Sequence, residues 1–204
     1  MTSLLLLTAL LMDQSNPVKL FDGKTFSGWE GDTEKTWRIE DGAIVGGSLE
    51  TVVPRNEFLA TTKTFTDFEL KLAFRIEGDA SKANAGVQFR SKRIPNHHEV
   101  SGFQADIGQD YWGALYDESR RNRVLARPDK ELLPKLATMN AWHSYTIRTE
   151  GARIRLWIDD QLTVDYTEKD DAIPRTGIIA PQVHGGAKVL VRYKDIYITE
   201  LAGK

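Results

Sequence analysis

Four short segments carry the side chains best suited to grip a polar ligand or to move a proton. In Asn84-Ala-Gly-Val-Gln-Phe-Arg-Ser91 a period of two sets Asn84, Gly86, Gln88 and Arg90 on one face and Ala85, Val87 and Phe89 on the other. In Gly102-Phe-Gln-Ala-Asp-Ile-Gly108 it sets Gln104 and Asp106 opposite Phe103, Ala105 and Ile107. Trp112-Gly-Ala-Leu-Tyr-Asp-Glu118 follows, then the basic run Ser119-Arg-Arg-Asn-Arg123, and near the C-terminus Gln182 and His184 again share a face. Solvated sheet faces favour Lys, Glu and Thr, whereas Asn, Gln, Arg, Asp, Tyr and His give directed hydrogen bonds. Trp112, Tyr116 and Trp142 add stacking surfaces for a sugar ring. Polar groups converging beside aromatics are how ligand pockets are built; the plainer alternative is the wet face that any antiparallel sheet has.

Alternation of this kind has to be imposed by strands, and from Thr36 onward two is the dominant period. Phe68, Leu70, Leu72, Phe74 and Ile76 alternate with Glu69, Lys71, Ala73 and Arg75, which is one strand with an apolar and a wet face. Arg153 to Ile158 repeats the pattern, and Asp159-Asp160 makes a two-residue turn into Leu162, Val164 and Tyr166, a hairpin. Further strands are expected at 37–40, 43–45, 57–60, 85–91, 102–107, 113–116, 143–149, 177–183 and 188–201. Roughly a dozen short strands with Gly, Asp, Asn and Pro between them leave no room for βαβ crossovers, so the fold is an antiparallel sandwich or barrel. The one helical stretch is Asp129 to Thr138, which Pro134 limits to a turn or two.

Composition narrows the function classes. With 27 basic and 29 acidic residues the chain carries −2, which lacks the footprint of a general nucleic-acid binder. Cysteine is absent, which excludes disulfides, thiolate catalysis and Cys-ligated zinc. Leu4 to Met12 is uncharged and apolar but far short of the ~20 residues that span a bilayer. Residues 1–15 are therefore expected to be a signal peptide or an apolar tail, the mature protein to be secreted or periplasmic with no membrane span, and residues 18–203 to form one domain. The run lacks a preceding Lys or Arg and a clean small-x-small cleavage site.

Generic chemical motifs are missing: no G-x-G-x-x-G, Walker loop, G-x-S-x-G or H-E-x-x-H is present. His97-His98-Glu99 looks like a ligand cluster, but neighbours on a strand face opposite ways, and after Pro95-Asn96 a solvated loop is expected. Laminarinase-like sandwich glycosidases carry E-x-D-x-x-E on one strand. Here the register reads Gln104-x-Asp106-x-x-Gln109, and glutamine neither attacks nor transfers a proton. Two-carboxylate hydrolysis cannot run from this strand.

Leu20-Phe-Asp-Gly-Lys24, Ser27-Gly-Trp29 and Trp37-Arg-Ile-Glu-Asp-Gly42 resemble the opening of the 3-keto-disaccharide hydrolase family. The resemblance continues in order through Asp67-Phe-Glu-Leu70, Asn84-x-Gly86-x-x-Phe-Arg90, Gly102-Phe-Gln104, Gly113-x-x-Tyr116, Asn140-x-Trp142 and Gln182-x-His184. It implies a concanavalin A-like jelly-roll of two curved antiparallel sheets. One departure stands out. Many members read Gly-Tyr-Glu-x-Gln where this chain has Gly102-Phe-Gln-Ala-Asp106, so the carboxylate has moved two residues along the same face.

The resemblance further implies action on glycosides already oxidised to a ketone at C3 by a separate sugar oxidoreductase. Such a ketone acidifies the C2 proton, so a base can remove it, the enolate expels the C1 substituent, and water adds to the enone. The residues assigned to this chemistry are Asp106 or Glu118 as base, Arg90 as the cation at the enolate oxygen and His184 as acid. Asn84, Gln88, Gln104, Trp112, Tyr116, Trp142 and Gln182 would hold the sugar. A divalent cation on Asp106, Glu118 or His184 is the alternative electrophile, and an Arg90–Asp106 ion pair is the purely structural alternative. The rival function is a non-catalytic carbohydrate-binding module on the same fold.

Overall fold

The computed structural model describes residues 16–202, so the apolar run at residues 4–12 and the leader expected over 1–15 lie outside the described residues. Two antiparallel sheets make up the body. The larger runs β14 (Gln161–Thr167), β13 (Arg153–Ile158), β12 (His143–Glu150), β7 (Phe68–Gly78), β16 (Val189–Glu200), β4 (Ala43–Ser48) and β3 (Trp37–Glu40), with β1 (Val18–Lys19) also paired to β16. The smaller runs β11 (Arg123–Ala126), β10 (Leu115–Glu118), β9 (Val100–Gly108), β8 (Asn84–Arg93), β15 (Ile178–Val183) and β5 (Glu57–Phe58). A ribbon of β2 (Trp29–Glu30) and β6 (Ala60–Thr61) sits beside them.

The core lies between the two sheets, and β7 shows why. Its even-numbered residues Phe68, Leu70, Leu72, Phe74 and Ile76 are all buried, as their alternation predicts. From the smaller sheet Ala85, Val87, Phe89, Phe103, Ala105 and Ile107 enter the same cluster. Each buried aliphatic or aromatic side chain contributes about 1.5–3 kcal/mol. The larger sheet also pins the back of the smaller one through tyrosine hydroxyls. Tyr193 donates to Gln182 O at 2.7 Å with Gly86 O at 2.9 Å, and Tyr145 donates to Asp106 O at 3.3 Å. Three strands that carry the polar residues are thereby fixed from behind.

The hairpin forms as expected: Asp159 and Asp160 both have positive φ, 47° and 61°, the requirement of a type I′ turn. Two strand expectations change. The strand expected over 57–60 breaks at Leu59, whose amide donates to Pro181 O, so that β5 pairs with β15 and β6 with β2. The strand expected from Gly113 starts at Leu115, because Gly113 turns at φ 68° to donate to Asp106 O. The helical stretch within 129–138 forms as the single turn that Pro134 permits, α1 (Leu133–Leu136), which anchors through Leu136.

Candidate active site

Asn84, Gln88, Gln104, Asp106, Tyr116 and Glu118 of β8, β9 and β10 lie on the face of the smaller sheet turned away from the core. In register, Gly86 stands opposite both Asp106 and Gln182, Gln88 opposite Gln104, and Gln104 opposite Tyr116. A pocket of about 320 Å³ opens there, lined by Asn84, Gln104, Asp106, Tyr116, Glu118 and His184. All six were singled out from sequence. Three further lining residues were not assigned a role: Asn56, Gln109 and Tyr111. Asn56 sits outside any alternating run, so no periodicity marks it. It accepts from Gly185 N and donates to Glu99 Oε1, both at 3.0 Å, which holds the loop bearing His184.

Beneath the opening runs a chain of buried amides. Ser91 Oγ donates to Gln88 Oε1 at 2.8 Å, Gln88 Nε2 donates to Gln104 Oε1, and Gln104 Nε2 donates to Asp106 Oδ1 at 2.8 Å and to Gln182 Oε1 at 3.2 Å. Gly86 makes this possible, since a Cβ there would lie 2.8 Å from Gln104 Nε2. Gln88 and Gln182 are fully buried and lie below the pocket instead of lining it, which corrects their assignment as sugar-binding groups. Their side chains are consumed in orienting Gln104. Gln182 Nε2 is left a buried donor without a protein partner.

No cation forms an ion pair with either pocket carboxyl among the described residues, and their acidities follow from that. Burial pushes Asp106 up to about 8, helped by the charge of Glu118 and opposed by hydrogen bonds from Gln104 and Asn84. Burial, then the charges of Glu99 and Asp117, pushes Glu118 up to about 7 against the Ser119 amide. Tyr116 also rises, chiefly through burial and then through Glu118. His184 donates Nδ1–H to Gly185 O at 2.7 Å, which leaves Nε2 as the nitrogen available to a ligand. Two carboxyls whose pKa values burial shifts up into the neutral range are chemically suited to proton transfer.

Arg90 is not part of this site. A bulge between Phe89 and Lys92 breaks the alternation and puts Arg90 in the left-handed region at φ 47°. Its guanidinium, almost wholly buried, donates to Thr66 O (2.8 Å), Gly151 O (2.7 Å) and Asp67 Oδ1 (2.6 Å). It pairs with Asp67 and clamps loops, so neither the enolate role nor the pairing with Asp106 holds. Trp112 is buried against Phe74 and His143 and offers no open ring face. Trp142 is exposed but lies outside the pocket, with Lys194 Nζ 4.3 Å from its ring centre. The basic run folds back: Arg120 and Arg121 both bond Asp117 and lie over the Phe103 ring. His97 and His98 stack on each other in the expected loop, away from this pocket. Among the described residues no three His, Asp or Glu side chains come together as metal ligands, so Asp106, Glu118 and His184 share a pocket without forming a ligand set.

An antiparallel jelly-roll sandwich with a polar pocket on one outer face is an architecture of glycan-handling proteins. A candidate glycosyl hydrolase from Parabacteroides distasonis shares the fold at 20% identity and TM-score 0.65, over 91% of this chain and 94% of that one. Carbohydrate-binding module CBM66 from Bacillus subtilis does so at 16% identity and TM-score 0.66, over 85% and 96%. The β-glucanase of Bacillus licheniformis follows at 10% identity and TM-score 0.57, over 93% and 99%. The chain belongs to the 3-keto-alpha-glucoside-1,2-lyase-like domain family, whose model matches residues 16–199. No curated protein matches it.

Proposed function

We propose that this protein cleaves 3-keto-glycosides by elimination across C1 and C2, followed by hydration. The observation that carries the reading is a pair of carboxyls lining one pocket, neither in an ion pair among the described residues, whose pKa values burial raises to about 7 and about 8. Glu118, half ionised at neutral pH, takes the C2 proton. Asp106, still protonated, donates a hydrogen bond to the C3 ketone oxygen as charge develops there, the part first assigned to Arg90. The enolate then collapses to a C1=C2 double bond, the C1–O bond breaks, and the departing oxygen takes a proton from His184 or water. Water adds at C1 and a proton returns to C2, which completes net hydrolysis. Gln104, Asn84 and Tyr116 orient the ring. The family description, which names a 1,2-lyase, supports this order of events.

No step here runs through a metal, because the three candidate ligands do not gather into a binding set. The substrate has to come from an oxidoreductase acting at sugar C3, and export of the chain would place the reaction outside the cytoplasm. Likeness to CBM66 supports a second reading, a binding module without turnover.

One assay decides between them. A 3-keto-glucoside and its unoxidised parent are incubated with the protein in deuterated water. Release of sugar from the keto compound alone, with deuterium at C2, is the expected result. Binding of both sugars without release favours the module, and release with C2 fully protonated overturns the elimination. With Glu118 required ionised and Asp106 protonated, kcat/KM should peak between about pH 7 and 8 and fall on both sides.

A further inference from the structure

A second cleft, about 630 Å³, adjoins the pocket, and Gln109 lines both. The junction is a strained stretch: Gly108 has φ 93° and Gln109, a residue with a side chain, has φ 43°. Non-glycine residues in that region are held there by their surroundings and cluster at functional sites. The cleft has apolar walls from Leu133, Pro134 and Ala137, backed by the buried Trp112, and its charged groups are Arg127, Lys130 and Asp110.

Arg127 is unlike most other arginines of the chain. Of fourteen arginines in the sequence, twelve stand in ion pairs among the described residues; Arg123 and Arg127 do not. Arg127 is held instead by one neutral contact and one ring. Its Nη1 donates to Asp110 O at 2.7 Å, and its guanidinium lies 5.3 Å from the centre of the Tyr111 ring. Tyr111 itself lines the catalytic pocket, and the charge of Arg127 acts on Asp106, favouring its ionised form against the larger effect of burial. Lys130, exposed in the same cleft, has no ion pair among the described residues either, so two cations and one carboxylate, Asp110, line it.

We propose that this cleft is the leaving-group subsite and that Arg127 selects an apolar aglycone carrying an anionic group. The inference rests on the keto-glycoside reading and names the class of substrate for it. A sugar ring over Asp106 and Glu118 directs its C1 substituent past Gln109 into the cleft. There an aromatic or aliphatic body meets the apolar walls, and a terminal anion meets the guanidinium, whose planar fork suits a carboxylate.

The test compares two 3-keto-glucosides that differ only in charge, with 4-carboxyphenyl and 4-carbamoylphenyl aglycones. The wild-type protein should prefer the carboxylate in kcat/KM by about fivefold at low ionic strength, the scale of a partly exposed ion pair. That preference should shrink in about 1 M salt. Arg127→Gln should bring the ratio to about one, while Arg153→Gln, on the far side of the sandwich, should keep it. The same ratio is read without turnover from the affinities of the two unoxidised glucosides, measured by NMR titration. Failure to cleave either keto compound therefore overturns the catalytic reading and leaves the subsite decided by affinity. A ratio near one in the wild-type protein, or one that survives Arg127→Gln, overturns the subsite.

Discussion

The outer faces of the two sheets handle carboxylates in opposite ways. On the larger sheet Glu69 meets Lys71 and Arg148, Glu150 meets Arg148 and Arg155, Asp165 meets Arg153, and Glu77 meets Arg75 and Arg192. On the smaller sheet Asp106 accepts from the Gln104 amide, and Asp106 and Glu118 line one pocket with no ion pair among the described residues. The acidities diverge accordingly. Arg148, with Arg155, holds Glu150 down to about 2, whereas burial lifts Asp106 to about 8. Both faces carry polar side chains at the strand period, so the strand pattern alone does not separate them. The presence or absence of a cation opposite each carboxyl does.

If that contrast is functional, the largest effect belongs to the unpaired side. Glu118→Gln keeps shape but removes the base, and kcat should fall on the order of 10²–10⁴-fold with KM little changed, read in steady-state cleavage of a 3-keto-glucoside. A Glu118→Gln protein near the wild-type rate would move the base elsewhere.

Arg90 tests the boundary between the two kinds of carboxylate chemistry. Arg90→Met breaks a buried pair and strands Asp67, so denaturant unfolding should show a loss of about 3–5 kcal/mol. In the fraction that remains folded, kcat should be retained. A large loss of kcat with stability intact would return Arg90 to the reaction.

The pH dependence of stability should also have opposite signs on the two faces. The folded-state value of Asp106 is raised from 3.8 to about 8, so the stability it contributes is full below pH 3.8 and is lost as pH rises through about 8. Asp106→Asn does not titrate and should exceed the wild-type protein in stability at pH 9, on the order of 2 kcal/mol, with no such gain at pH 4. Glu150 is lowered from 4.5 to about 2, so its contribution is present above pH 4.5 and lost as pH falls toward 2. Equal or reversed trends in thermal unfolding between pH 4 and pH 9 would erase the contrast.

The smallest effect is expected where charges are paired and solvated. Glu150→Gln should cost at most about 1 kcal/mol at pH 7, and less in high salt. A larger loss would mean that the ion-pair face is a structural network and not a solvated surface.

Alternation alone determined which residues of β7, β8 and β9 face the core, because a strand of fixed period leaves a side chain only two directions. The shared face of Asn84, Gln104 and Asp106 was legible for the same reason, as was the Asp159-Asp160 turn, whose chemistry is local. Family membership was legible from ordered motifs spread along the whole chain. The tertiary structure decided the rest. One extra residue between Phe89 and Lys92 turned Arg90 away from the pocket, and no periodic pattern records a bulge. Trp112 had the right neighbours in sequence and the wrong ones in space. Asn56 reached the pocket from a loop and Tyr111 from a single 3-10 turn, where no strand period applies. Whether a carboxyl would be a paired surface charge or a buried proton carrier depended on what the other strands brought opposite it. That is a matter of distance and burial, and a sequence does not contain either.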